Sequence, residues 1–193
     1  MNIQILDNFL NNEEINTVHD TIFNDLFNWF IAQHQHTVNP YDLNISQSQF
    51  SKNLLIDYFQ FCHPLYYLNN NTSIKVSNYS NIADLIINKL SKFNNVYYKI
   101  IRAKINLQTQ NNKTNENTFN APHTDMDENH YVLIYYVNDT DGCTFLFDND
   151  NNVVHKVYPK KGRALLFNGN IKHASGHPVN SLKRCVINFN LTL

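Results

Sequence analysis

YVLIYYVNDTDGCTFLFDNDNNVVHKVYPKKGRALLF, residues 131–167, decides the fold. It holds apolar or β-branched runs at Tyr131 to Val137, Thr144 to Phe147, Val153 to Val157 and Ala164 to Phe167. Between them stand Asn138-Asp139, Asp141-Gly142, Asp148 to Asn152 and Lys161-Gly162. Gly tolerates positive φ, and Asn and Asp side chains bond their own backbone, so these clusters end strands and turn the chain. Short strands joined by short turns pair antiparallel, and such pairing builds a sandwich or a barrel. On either side, Tyr97 to Leu107 and Cys185 to Leu191 read as two more strands. The fold class expected is mainly β with N-terminal helices packed on one sheet.

Toward the N-terminus the period changes. Asn2 to Leu6 alternates and reads as an opening strand. Asn11 or Asn12, followed by Glu13 and Glu14, is a helix start. Ile15, Val18, Ile22, Leu26 and Phe30 then recur at helical spacing, with Phe23 and Phe27 widening the stripe. A second helix is expected from Phe50, Leu54, Tyr58 and Phe61, ending near His63 because the residue before Pro64 disfavours helix. A third begins near Ser80 or Asn81, carries Ile82, Leu85, Ile86 and Leu90, and ends at Asn94-Asn95. Residues 1–193 therefore read as one domain, with 1–95 mostly helical support and 96–193 a β core. Gln108 to Asn120 is almost wholly Gln, Asn, Thr and Lys and reads as a mobile surface loop. It is either a lid over His123 or a tolerated polar insertion.

The chain of 193 residues is long enough for a real core, and 42% of it is hydrophobic. A net charge of −1 gives no general pull toward nucleic acid or an anionic membrane. No stretch is long and apolar enough to span a bilayer, and the N-terminus lacks a basic start followed by an apolar run. Cys62, Cys143 and Cys185 are an odd, low count, which reads as free thiols in a reducing cytoplasm.

The chemistry gathers at His123-Thr124-Asp125. In an extended chain residues i and i+2 share a face, so an imidazole and a carboxylate project together. A further imidazole, His173, comes after the strand Ala164 to Phe167. Two His and one carboxylate cover one face of an octahedral iron and leave three positions open. Arg184 opens the last strand, where its planar fork can grip a carboxylate with two charge-assisted bonds. His177 is the alternative second imidazole, although it lies in the turn against Pro178. Asp127 is the alternative to Asp125. The remaining histidines, His19, His34, His36, His63, His130 and His155, call for no function. The chain has no nucleophile elbow, no metalloprotease helix motif and no phosphate-cradling glycine loop.

Pro122 to Leu193 resembles the prolyl 4-hydroxylase-like branch of the iron(II)/2-oxoglutarate dioxygenases, in its small bacterial and phage forms. The likeness runs through His123-Thr124-Asp125, Ile134 to Asn138, Asp141-Gly142, Pro159 to Ala164, Phe167, His173 and Arg184 to Asn188. It implies a double-stranded β-helix, the jelly-roll form of sandwich found also in cupins. It implies Fe(II) on His123, Asp125 and His173, and 2-oxoglutarate on Arg184, with O2 as oxidant and ascorbate as an accompanying reductant. Tyr136 matches a tyrosine that bonds the same carboxylate, and Asn188, on the face of Arg184, would finish the pocket wall. The implied reaction is hydroxylation of a C–H bond with release of succinate and CO2. A peptidyl, prolyl-like substrate is expected first, and a free amino acid or small metabolite second; nucleic acid and membrane are not expected partners. The alternative of another class is a non-catalytic, cupin-like metal-binding module. Relatives often carry Gly-Gly where this chain has Gly142-Cys143, so Cys143 is expected to alter the site's border.

Overall fold

The computed structural model describes residues 3–32, 60–70, 72–111 and 114–193. The strands are β1 (Ile3–Leu6), β2 (Phe30–Ala32), β3 (Gln60–Asn69), β4 (Thr72–Lys75), β5 (Lys99–Thr109), β6 (Tyr131–Tyr136), β7 (Thr144–Phe147), β8 (Val153–Val157), β9 (Ala164–Asn168), β10 (His173–Ser175) and β11 (Lys183–Thr192). Among the described residues two helices accompany them, α1 (Asn12–Ile22) and α2 (Ser80–Asn94). The large sheet runs β1-β9-β6-β11-β5-β3-β2, with β4 attached to β3; the small sheet runs β10-β7-β8. All pairs are antiparallel. The architecture is the mainly β, two-sheet arrangement expected.

Strand alternation sorts the side chains of the large sheet. On β11, Cys185, Ile187, Phe189 and Leu191 enter the main core with Val18 and Ile22 of α1 and Ile82, Ile86 and Leu90 of α2. Burying each large aliphatic side chain contributes roughly 1.5–3 kcal/mol. The opposite face of β6 sends Val132, Ile134 and Tyr136 into a second cluster with Leu146, Val157, Leu165, Phe167 and Val186, between the sheets. Tyr135 and Tyr136 thus point opposite ways, as alternation requires.

The helix ends obey local chemistry. Asn11 accepts from the Glu14 amide, and Glu14 reaches back to the Asn11 amide, both at 2.9 Å. This capping box contributes about 1 kcal/mol. Helix α1 stops at Ile22 and does not run on to Phe30. Asn24 accepts from the Leu26 amide and its carbonyl from the Phe27 amide, so a local turn outcompetes the apolar period. Leu26 is left exposed, and Phe30 lies in β2. Helix α2 ends where expected, on Asn95 in the left-handed region at φ 51°.

The expected second helix meets two outcomes. Phe50, Leu54 and Tyr58 lie outside the described residues. Phe61 and His63 lie in β3, a strand. Pro64 is accommodated because the β3–β5 register shifts between Pro64 and Tyr66. Among the described residues of 1–95, four strands stand beside the two helices. Gln108 to Asn120 also departs from a free loop. Gln108 is buried in β5, Thr118 is buried, and Phe119 packs with Cys143, Phe145, Phe147 and Ala174. All three cysteines are free thiols.

Candidate active site

His123 precedes β6, and His173 opens β10. The two residues exchange backbone hydrogen bonds, His123 N–H to His173 O at 3.0 Å and the reverse at 2.9 Å. This isolated antiparallel bridge sets the two imidazoles side by side, with ring centroids 4.7 Å apart. Asp125 stands two residues on from His123, its carboxylate 3.7 Å from His123 Nε2 and 3.9 Å from His173 Nε2. One ligand atom from each of the three lies within 4.8 Å of the others. His177 is not in this cluster; its Nε2 faces Asn120 Oδ1 at 3.0 Å.

The carboxylate is held from behind. Asn188 and Asn190 of β11 donate to Asp125 Oδ2 at 3.0 and 2.8 Å, and Arg102 of β5 lies 3.2 Å from Oδ1. Burial opposes ionisation of Asp125, yet His173, Arg102 and the two amides together hold its pKa well below the usual carboxylate range. Burial and the neighbouring His123 push His173 down to about 4, which keeps its imidazole neutral at pH 7. Two imidazoles beside an ionised carboxylate make a donor set that suits a divalent iron with open positions. Asn188 therefore orients the carboxylate; it also lines the cavity.

Arg184 lies 3% exposed at the other end of the same face. Its Nε donates to Gly142 O at 2.7 Å, Nη1 to Gln108 Oε1 at 3.1 Å and Nη2 to Thr144 Oγ1 at 3.0 Å. No carboxylate among the described residues pairs with it. Tyr136 donates to Thr144 Oγ1 at 2.8 Å, so it stands one side chain behind the guanidinium. Burial raises its phenol to about 12. A cavity of about 440 Å³ joins the two ends, lined by His123, Asp125, His173, Thr144, Arg184 and Asn188 among others. Tyr136 is absent from that lining. Cys143 does not border it either: the side chain turns into the Phe119 cluster, where burial raises the thiol to about 11.

Gln108, Thr144, Arg102 and Asn190 were not singled out by sequence reasoning. Uncharged polar residues inside a strand carry no motif. For Asn190 a signal existed, since Arg184, Val186, Asn188 and Asn190 continue one face at period two.

Gly142 is a tight spot. A Cβ there would lie 2.8 Å from Arg184 Cδ, 2.9 Å from Gly176 O and 3.0 Å from Pro178 N. Gly142→Ala is expected to displace the guanidinium and weaken 2-oxoglutarate binding by about 10-fold, read from the cosubstrate half-saturation.

The buried imidazoles set an acid limit. Burial, and then the charge of Arg184, push His177 down to about 4. In the unfolded chain a histidine titrates near about 6.5. Between these values the unfolded state binds a proton that the folded state refuses. Stability is therefore constant above the unfolded value and falls as pH drops toward about 4, by on the order of 3 kcal/mol for a group shifted this far. His173 acts in the same direction. The melting temperature of metal-free protein should fall steeply between about pH 6.5 and about pH 4.5, and His177→Gln should make that slope shallower.

Residues 108–192 match the model of the 2OG-Fe(II) oxygenase superfamily. That segment is thus similar to a 2OG-Fe(II) oxygenase domain, a family that works with Fe(II), 2-oxoglutarate and O2, and it contains the His123, Asp125 and His173 cluster. Among solved structures it is similar to a prolyl-4-hydroxylase from Pseudomonas putida, at 10% identity and a TM-score of 0.56, covering 98% of this chain and 91% of that one. It is also similar to a Trichoplax adhaerens prolyl hydroxylase in complex with a peptide fragment of the hypoxia inducible factor oxygen degradation domain, at 15% identity and 0.53, covering 97% and 82%. A third is the non-heme α-ketoglutarate-dependent epimerase SnoN from nogalamycin biosynthesis, at 9% and 0.60, covering 98% and 77%. No curated protein matches the sequence. No helix among the described residues is long and apolar enough to cross a membrane.

Proposed function

We propose that this enzyme hydroxylates an unactivated C–H bond, with a peptidyl, prolyl-like substrate as the first expectation, and that His123, Asp125 and His173 hold its iron. The observation that carries the reading is Arg184. It is a buried guanidinium, fixed by three acceptors and without a carboxylate partner among the described residues. A buried charge lacking a counter-charge is costly, so a site that keeps one is built for an anionic ligand. Arg184 opens onto the cavity that holds the triad, as the distal carboxylate of 2-oxoglutarate requires. The prolyl hydroxylase neighbours support a peptide; the epimerase neighbour shows that this fold also serves other small-molecule chemistry.

The bound iron and cosubstrate would supply the oxidising power. The chain's own residues supply geometry. His123 and His173 present their Nε2 atoms from a bridged pair of backbones. Asn188, Asn190 and Arg102 fix the direction of the Asp125 carboxylate. Gln108, Thr144 and Gly142 hold the Arg184 fork, and Tyr136 fixes Thr144. Val186 and Ile134 give the cavity an apolar wall between the two ends.

The test is anaerobic visible absorbance of the Fe(II)-loaded protein before and after 2-oxoglutarate. A new metal-to-ligand charge-transfer band, absent in His173→Ala, supports the reading. A folded, metal-binding protein with no band points to the binding-module alternative. Succinate release dependent on a prolyl peptide would then establish the substrate.

A further inference from the structure

The inner face of β5 carries Arg102, Lys104, Asn106 and Gln108, and the first three line the cavity with Gln60. Register pairs them with β11: Gln108 with Arg184, Asn106 with Val186, Lys104 with Asn188 and Arg102 with Asn190. Gln108 supports the cosubstrate clamp. Arg102 is committed to Asp125 and to Asn190 Oδ1, at 3.2 and 2.8 Å. Lys104 is half-buried and has no hydrogen bond or ion pair with any described residue. It lies opposite Asn188, which holds the iron-side carboxylate, and four residues from Gln108, roughly 13 Å along the strand. Lys104 is thus at the triad end of the cavity, away from Arg184.

The charge balance points the same way. Arg102, Lys104 and Arg184 line the cavity against one carboxylate, that of Asp125. Iron(II) and the 2-oxoglutarate dianion cancel each other, so the loaded site keeps an excess of positive charge. Burial draws the Lys104 ammonium below the ordinary lysine value and Arg102 adds to this, against the opposing charges of Cys62 and Asp125.

We propose that Lys104 is a substrate-binding cation, and that the substrate presents a carboxylate next to the carbon that is oxidised. The proposal rests on the oxygenase reading and narrows it. The carboxylate belongs to a free amino acid, to a peptide C-terminus or to an acidic side chain beside the reacting residue. A neutral peptide interior leaves Lys104 unpaired and dehydrated, which the site disfavours.

The test uses the anaerobic Fe(II)·2-oxoglutarate protein and the shift of its charge-transfer band when a probe binds beside the iron. The probes are the standard amino acids, their carboxamides, and end-blocked prolyl peptides with and without a neighbouring Glu. Carboxylate-bearing probes are expected to shift the band, and their neutral counterparts to bind at least about 10-fold more weakly, the effect of losing one charge-assisted hydrogen bond. Lys104→Met should reduce the carboxylates to the level of the amides, and Lys104→Arg should restore most of the difference. Response to free amino acids alone identifies a small-molecule substrate; response to the Glu peptides alone identifies an acidic peptide. The proposal is overturned if neutral probes bind as well as carboxylates, if no carboxylate shifts the band, or if Lys104→Met leaves carboxylate binding unchanged. It is also overturned if Lys104→Met loses 2-oxoglutarate itself, which would place the lysine on the cosubstrate. Failure of the oxygenase reading is seen separately, as a wild-type protein that forms no band before any probe is added.

Discussion

Arg184→Met abolishes the response to 2-oxoglutarate while leaving the metal-free protein close to wild-type stability. The variant removes the cation at the base of the cavity, where a bidentate, charge-assisted contact is worth about 3–5 kcal/mol. Half-saturation by 2-oxoglutarate should therefore rise by about 100-fold or more, since about 1.4 kcal/mol is tenfold. Two effects oppose each other in the free protein. Gly142 O, Gln108 Oε1 and Thr144 Oγ1 each lose a donor, at about 1 kcal/mol apiece. Against that, a buried guanidinium with no counter-charge is itself a penalty of several kcal/mol. These nearly cancel, and the melting temperature should move by only a few degrees. Added 2-oxoglutarate should raise the melting temperature of iron-loaded wild type and leave the variant's where it was. Equal stabilisation of both proteins would show that the distal carboxylate binds elsewhere.

The second large effect is at Asp125. Asp125→Ala removes the only charged donor of the triad and strands Arg102, Asn188 and Asn190, all of which bond that carboxylate. Iron binding should weaken by about 1,000-fold or more, and turnover should be lost; Asn188 and Asn190 each also lose an acceptor, at about 1 kcal/mol apiece. Asn188→Ala and Asn190→Ala keep the ligand and lose one hydrogen bond each, so about 10- to 100-fold in metal affinity is expected. Anaerobic Fe(II) titration separates the two classes. An Asp125→Ala protein that binds iron like its asparagine variants would remove the carboxylate from the ligand set.

Much of this site was legible in the sequence. His123, Asp125, His173 and Arg184 are charged or metal-binding residues at spaced positions in a strand-rich half, and such residues announce themselves. What supports them does not. Gln108 looks like the start of a polar loop, and only the pairing of β5 with β11 puts it against Arg184. Tyr136 was expected on the cosubstrate; its hydroxyl bonds Thr144, on another sheet, which lies between it and the Arg184 guanidinium. The strands downstream of Tyr97 read well because turn residues bracket each one. The N-terminal elements read less well for the same reason. The stripe through Leu26 and Phe30 keeps helical period across a turn made by Asn24. Phe61, spaced like a helix residue, is recruited into a strand by its partner Leu107 on β5.

The last strand carries Arg184, the cation proposed for the cosubstrate, and the two amides that hold the Asp125 carboxylate, in the unbroken run from Arg184 to Asn190. Its one irregularity comes immediately after, between Asn190 and Leu191. The separation between those tasks is therefore a fixed number of residues at about 3.3 Å each, not an adjustable loop. Loops on either side can lengthen and reshape the entrance with little consequence for the oxidation. Inserting or deleting one residue between 185 and 187 would turn one end of the site into the helix-facing core, so this gene segment should tolerate substitution far better than any change of length.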